Sequence, residues 1–175
     1  LNKALSTLLK SAINCMGAGR TDTGVHAAQM IAHFDSEINF DINEISIKLN
    51  SFLPSDIAVN SIVKVNSSAH ARFDATSRTY VYKICTIKDV FEYNKSHYFK
   101  RKLNVKLMNE ACQILMQYSD FECFTKTHSG VKTFICKISH AQWIQTTGRI
   151  EFKITADRFL RNMVRAVVGT MLDVG

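Results

Sequence analysis

Residues 17–29 read GAGRTDTGVHAAQ. Three glycines, an arginine, an aspartate and a histidine fall within thirteen positions. Two nucleotide-binding readings fail here. A dinucleotide fingerprint needs G-x-G-x-x-G after a strand, and Gly17 and Gly19 fit it, but Asp22 takes the third glycine's place. Its carboxylate would repel the pyrophosphate. No Gly-Lys-Ser/Thr follows, so there is no P-loop. What remains is a tight exposed loop, since glycine tolerates backbone that other residues avoid. Such a loop presents Arg20 and Asp22, and rigidly placed loops often carry catalytic groups. The alternative is a structural turn in which Asp22 bonds its own backbone.

Two further stretches could meet a polyanion. In SRTYVYKI, residues 77–84, a strand would put Arg78, Tyr80 and Tyr82 on one face. An arginine beside two aromatics can contact phosphate and stack a base. A half-buried strand with its tyrosines in the core explains the pattern equally well. In ADRFLRNMVRAVVGTML, residues 156–172, Leu160, Val164, Val167, Val168 and Met171 form an apolar helical stripe. Arg158, Arg161 and Arg165 recur on another face. That row is a solvated surface, a phosphate track, or the source of one guanidinium for a carboxylate.

The elements that must position these residues follow from periodicity. The pattern predicts a helix over residues 1–12, short strands over 13–18 and 29–34, a helix capped by Asn43 and stopped at Pro54, and a β-branched strand over 57–65. The polar stretch NSSAHARFDATS reads as a linker. Beyond it come a strand over 78–87, a helix capped by Asn104, two strands over 134–144 and 149–155 joined through QTTG, and a helix over 158–172. The halves run α-β-β-α-β and β-α-β-β-α. Each lacks one terminal strand of the ferredoxin-like split βαβ unit. The expected fold is therefore α+β: two ferredoxin-like, RRM-like half-domains, residues 1–68 and 69–175, with mostly antiparallel sheets flanked by helices. The outermost strands are expected beyond the two ends of what reads as a fragment.

Composition narrows the function class. Hydrophobic residues make up 46% of the 175 and charged residues 21%, an ordinary globular balance. No apolar run reaches membrane-span length and no stretch has signal-peptide order. The five cysteines are odd in number and contain no Cys-x-x-Cys, which suits a reducing cytoplasm. His26 and His33 have no third ligand at metal spacing, so no metal is expected. The net charge of +7 favours a nucleic-acid partner.

Three motifs in collinear order resemble the TruA family of tRNA pseudouridine synthases: GAGRTDTGVHA at 17–27, HARFDATSRTYVYKI at 70–84 and FLRNMVRAVVGTMLDVG at 159–175. Thr23 stands where that family commonly has alanine, and its N-terminal Tyr-x-Gly-Trp segment is absent. The resemblance implies that Asp22 attacks the target nucleoside, so that uracil detaches at N1, rotates and is rejoined through C5. It implies that Arg20 contacts the substrate backbone, that Tyr80 packs against the uracil, and that Arg165 pairs with the carboxylate. Arg78 and His26 join the substrate-binding set. It further implies no cofactor, a homodimer, and action on uridines 38, 39 and 40 of the tRNA anticodon stem-loop. A carboxylate stays ionised at neutral pH, a guanidinium nearby favours that form, and a flipped base needs an aromatic platform. The competing reading is a non-catalytic RNA-binding module, against which an acidic residue in the contact loop argues. A small-molecule α+β enzyme is a third reading, and it would need a compact apolar pocket that the sequence does not show.

Overall fold

Apolar residues at spacings of three and four dictate helix α1, which forms over Asn2–Leu9 and buries Ala4, Leu5 and Leu9. It ends three residues before the expected point because Lys10 turns left-handed, at φ 52°. Helix α2 spans Ile42–Phe52. Its N-cap is Asp41, not Asn43: the Asp41 carboxylate accepts the Glu44 N–H at 2.8 Å. Pro54 stops it as expected, just after the Leu53 N–H makes the last helical bond to the Leu49 carbonyl. Ile45 and Leu49 of α2 join Ala4, Leu5, Leu9 and Ile13 in one apolar cluster.

This is a computed structural model, and it describes residues 1–126 and 130–175. They form two units, Leu1–Ala75 and Thr76–Gly175. The first unit's sheet is slight. Strands β1 (Met16–Gly17) and β2 (Ala32–His33) pair antiparallel through Met16↔His33 and Gly17↔Ala32. Residues 57–65, expected as a strand, join no ladder. The Asn50 side chain on α2 replaces a partner strand, accepting the Val59 N–H at 2.7 Å and donating to its carbonyl at 2.9 Å. β-Branched residues favour strands because they pack on a neighbouring pleated surface, and Val63 and Val65 stay exposed without one. The stretch read as a linker is folded through residue 75, closed by His70–Asp74 main-chain bonds.

The second unit carries a four-stranded sheet. Strand β3 (Arg78–Cys85) precedes the short β4 (His97–Tyr98), which sequence periodicity could not show. Helix α3 (Val105–Leu115), strands β5 (Ile138–Thr146) and β6 (Arg149–Ala156), and helix α4 (Met163–Val174) follow. The sheet order is β4-β3-β6-β5, with β6 antiparallel to both β3 and β5. That is the split βαβ arrangement: two like-directed strands with an opposed strand between them. The fold is α+β, as expected. Among the described strands only β4 runs parallel to its neighbour, β3.

Tyr80, Tyr82 and Ile84 of β3 lie opposite Ile154, Phe152 and Ile150 of β6. That face carries the core, with Met163, Val167, Val168 and Met171 of α4 and Met108 and Cys112 of α3. Burial pushes the Cys112 thiol up to about 11, so at neutral pH it stays protonated and acts as a small apolar group. Asn104 caps α3 as expected, accepting the Leu107 N–H at 3.2 Å. The Asn109 side-chain amide then brackets the Trp143 backbone at 2.8 and 3.0 Å, fastening α3 to edge strand β5. The hairpin between β5 and β6 turns at Thr147–Gly148, where Gly148 takes φ 74°. No helix among the described residues is long and apolar enough to cross a membrane.

Candidate active site

The stretch around Asp22 is the loop of the β1–β2 hairpin. Beyond the two strand pairs, the Ala18 N–H donates to the Ile31 carbonyl at 2.8 Å. Residues 19–30 then leave the ladder, and every residue from Arg20 to Ala32 is exposed. Within it the chain makes one tight turn. The Val25 N–H donates to the Asp22 carbonyl at 3.3 Å across Thr23 and Gly24, and Gly24 adopts φ 81°. A turn with positive φ at its third residue selects glycine there. The turn is thus closed by main chain alone. Among the described residues the Asp22 carboxylate takes no hydrogen bond and no ion pair, so the structural-turn alternative, in which it bonds its own backbone, does not hold. Arg20 and His26 share the same exposed loop.

Tyr80 lies in the second unit, half-buried on the core face of β3. Its ring meets Phe159 edge-on, with centroids 5.1 Å apart and planes at 86°. The body of the ring is therefore a core contact, as the structural alternative had it. Arg78 Nη1 donates to the Asp157 carbonyl at 3.0 Å, tying the start of β3 to the end of β6.

The arginine row needs correction. Helix α4 begins at Met163, five residues later than expected, because Asn162 sits in the left-handed region at φ 68°. Arg158 and Arg161 precede the helix, so they share no helical face with Arg165. The Arg161 carbonyl instead accepts the Lys126 N–H at 3.0 Å and the Thr125 hydroxyl at 3.4 Å. Arg165 alone stands on α4, exposed in its first turn. Among the described residues it makes no ion pair.

At the foot of the hairpin, His33 of β2 meets a second histidine, His70. The His33 ring lies 4.6 Å from that of His70, and His33 Nδ1 accepts the Ala71 N–H at 3.1 Å. Thirty-eight residues separate the bonded pair, so no local pattern marks it.

Comparison with known proteins adds a family. The family model described as tRNA pseudouridine synthase matches residues 111–175. The tRNA pseudouridine synthase A of Bacteroides fragilis is 51% identical over 179 residues, covering 100% of this chain and 70% of that protein. The protein of the same name from Parabacteroides distasonis is 52% identical over 176 residues, with the same coverage. That of Bacillus subtilis is 38% identical over 179 residues, covering 100% of this chain and 72% of its own length.

Proposed function

The chain belongs to the tRNA pseudouridine synthase family of isomerases, and from that premise we propose that Asp22 is the nucleophile for converting uridine to pseudouridine in tRNA. The observation that carries this reading is the turn at Thr23–Gly24. Its main-chain closure leaves the Asp22 carboxylate exposed and unspent, available to a substrate. A carboxylate is ionised at neutral pH and can form a covalent adduct. In the overall exchange the N1–C1′ bond breaks, the C5–C1′ bond forms, C5 gives up its proton and N1 gains one. Nothing is oxidised or reduced, so these residues need no redox partner.

Around that step Arg20 and His26 contact the RNA from the same loop, and Tyr80 supplies the face on which the extruded uracil rests. Arg165 supplies the guanidinium that pairs with the carboxylate. Arg78, bound to the Asp157 carbonyl, fixes the strand carrying Tyr80 and belongs with the residues that meet the substrate. The targets are the uridines of the anticodon stem-loop, and the working form is a cytoplasmic homodimer without metal or cofactor. The +7 charge suits a polyanionic substrate, because phosphate neutralisation dominates affinity for RNA. Membership in a family of isomerases sets aside the non-catalytic RNA-binding reading.

The test uses tRNA tritiated at uridine C5, since that hydrogen leaves only when the new carbon–carbon bond is made. Asp22→Asn keeps the size and removes the charge. It should bind tRNA at least as well as the parent, keep its stability within about 1 kcal/mol, and release no tritium. Release near the parent rate from a folded, tRNA-binding variant would falsify the assignment.

A further inference from the structure

We propose that His33 is a positioning residue: by accepting the Ala71 N–H, its imidazole clamps the base of the hairpin that carries Asp22. The inference rests on the reading of Asp22 as nucleophile.

The hairpin needs such a clamp. Its ladder is two residue pairs and one further backbone bond, below which twelve residues run free of the sheet. A lone two-stranded hairpin is marginal in water. Any looseness at its base reaches Asp22, and misplacing a reacting group by an ångström costs rate heavily. His33 is the terminal residue of β2, paired with Met16. It is the point where an outside contact would fix the base of the loop.

The contact is built from both sides. Residues 70–74 form a tight turn: the His70 carbonyl accepts the N–H groups of Phe73 and Asp74, and the Asp74 carboxylate accepts the His70 N–H at 2.7 Å. His70 Nδ1 gathers the N–H groups of Arg72 and Phe73, both at 3.2 Å, and its ring stacks on Phe73 at 4.2 Å. This turn aims the one remaining N–H, that of Ala71, at His33 Nδ1. Both imidazoles therefore act as acceptors at Nδ1. The second sequence motif, which opens with these residues, thus does two jobs. Its first part braces the hairpin, and its second part becomes β3.

The test is kinetic and uses the full-length protein. His33→Phe keeps a ring beside His70 but removes the acceptor. Its kcat should fall by roughly ten- to a hundredfold, with KM for tRNA held within about twofold, because an interaction that aims the nucleophile acts on the chemical step. His33→Asn should recover most of the loss. The asparagine Oδ1 lies the same two bonds beyond Cβ as the histidine Nδ1, and it too accepts. A structural filler would not distinguish phenylalanine from asparagine in this order. If His33→Phe does not fold, His70→Phe is measured in its place and should show the same kcat loss at unchanged KM. An unchanged kcat, or Asn no better than Phe, overturns the clamp. Asp22→Asn runs alongside: if it still turns over, the nucleophile reading fails and takes the clamp with it. If it is dead while His33→Phe is fully active, the clamp alone is wrong.

Discussion

In the first unit, six buried apolar side chains on and beside two helices make the core, and the sheet amounts to two residue pairs. In the second, nineteen buried side chains among the described residues fill the space between a four-stranded sheet and its helices. Tyr80 and Arg165 belong to the dense unit, and Asp22 to the sparse one. The difference is one of means. Packing holds Tyr80, because its strand has Phe152 and Ile154 of β6 directly across from it and its neighbour Tyr82. A few hydrogen bonds hold the Asp22 hairpin: its short ladder, the Ala18–Ile31 main-chain bond and the contact of the Ala71 N–H with His33. Substitutions should therefore separate stability from activity according to the unit they strike.

The largest stability effect belongs to the dense unit. Phe152 is fully buried at the centre of the sheet and stacks on Trp143 at 4.6 Å. Phe152→Ala should cost about 3–5 kcal/mol, the lost transfer energy plus the cavity left behind. Urea unfolding followed by the fluorescence of Trp143, the one tryptophan, reads it directly. The counterpart in the sparse unit is Leu49, 1% exposed between α1 and α2. Leu49→Ala should cost about 2–3 kcal/mol, the lower part of the range, since a small cluster can close over the gap. Amide exchange along α2 measures it. A larger loss from Leu49 than from Phe152 would invert the comparison.

Gly24 tests whether turn geometry, rather than packing, governs the sparse unit's function. An added Cβ meets nothing within 4 Å, so Gly24→Ala is penalised by backbone alone. At φ 81° that penalty is about 1–2 kcal/mol. The cheapest escape for an exposed loop is to change the turn, which re-aims Asp22. We expect little change in melting temperature and a drop in kcat on the order of tenfold. Full activity with a lowered melting temperature would show that the turn serves stability instead.

Legibility in the sequence followed the same division. Helices α1, α2 and α3, strand β3 and the β5–β6 hairpin were readable because each carries its own period, and Asn104 and Pro54 punctuate where expected. Residues 57–65 misled because β-branched side chains describe a packed surface, and among the described residues no strand pairs with them. The start of α4 misled because its apolar period runs back through Leu160, while a single left-handed residue, Asn162, breaks the chain. The strand β4 is two residues long and has no period to read. At the candidate site, the exposed glycine-rich loop that presents Asp22 could be read from residue type. The contact of His33 with Ala71 could not, since it depends on a fold bringing distant residues together.

The smallest expected effect lies at the dense unit's rim. Asp89 accepts the Phe91 N–H at 2.9 Å and meets Arg149 at 3.3 Å, and Arg149 also meets Glu92 at 3.1 Å. The Phe91 N–H, then the Arg149 guanidinium, hold the Asp89 carboxyl below the usual carboxylate range, and Arg149 is raised in return. A carboxyl whose pKa is lowered by folding stabilises the fold above its unfolded value, about 3.9 for aspartate. That contribution disappears as pH falls through the lower folded value. Asp89→Asn separates the two causes: its Oδ1 can still accept the Phe91 N–H, but it carries no charge for Arg149. The variant should melt slightly below the parent at neutral pH, and by less in high salt, because the pair is exposed and screened. As pH drops below the ordinary aspartate range the two melting curves should converge, since the parent's carboxyl then becomes neutral as well. A difference that persists unchanged into strong acid would show that shape at residue 89, and not its charge, is what the rim uses.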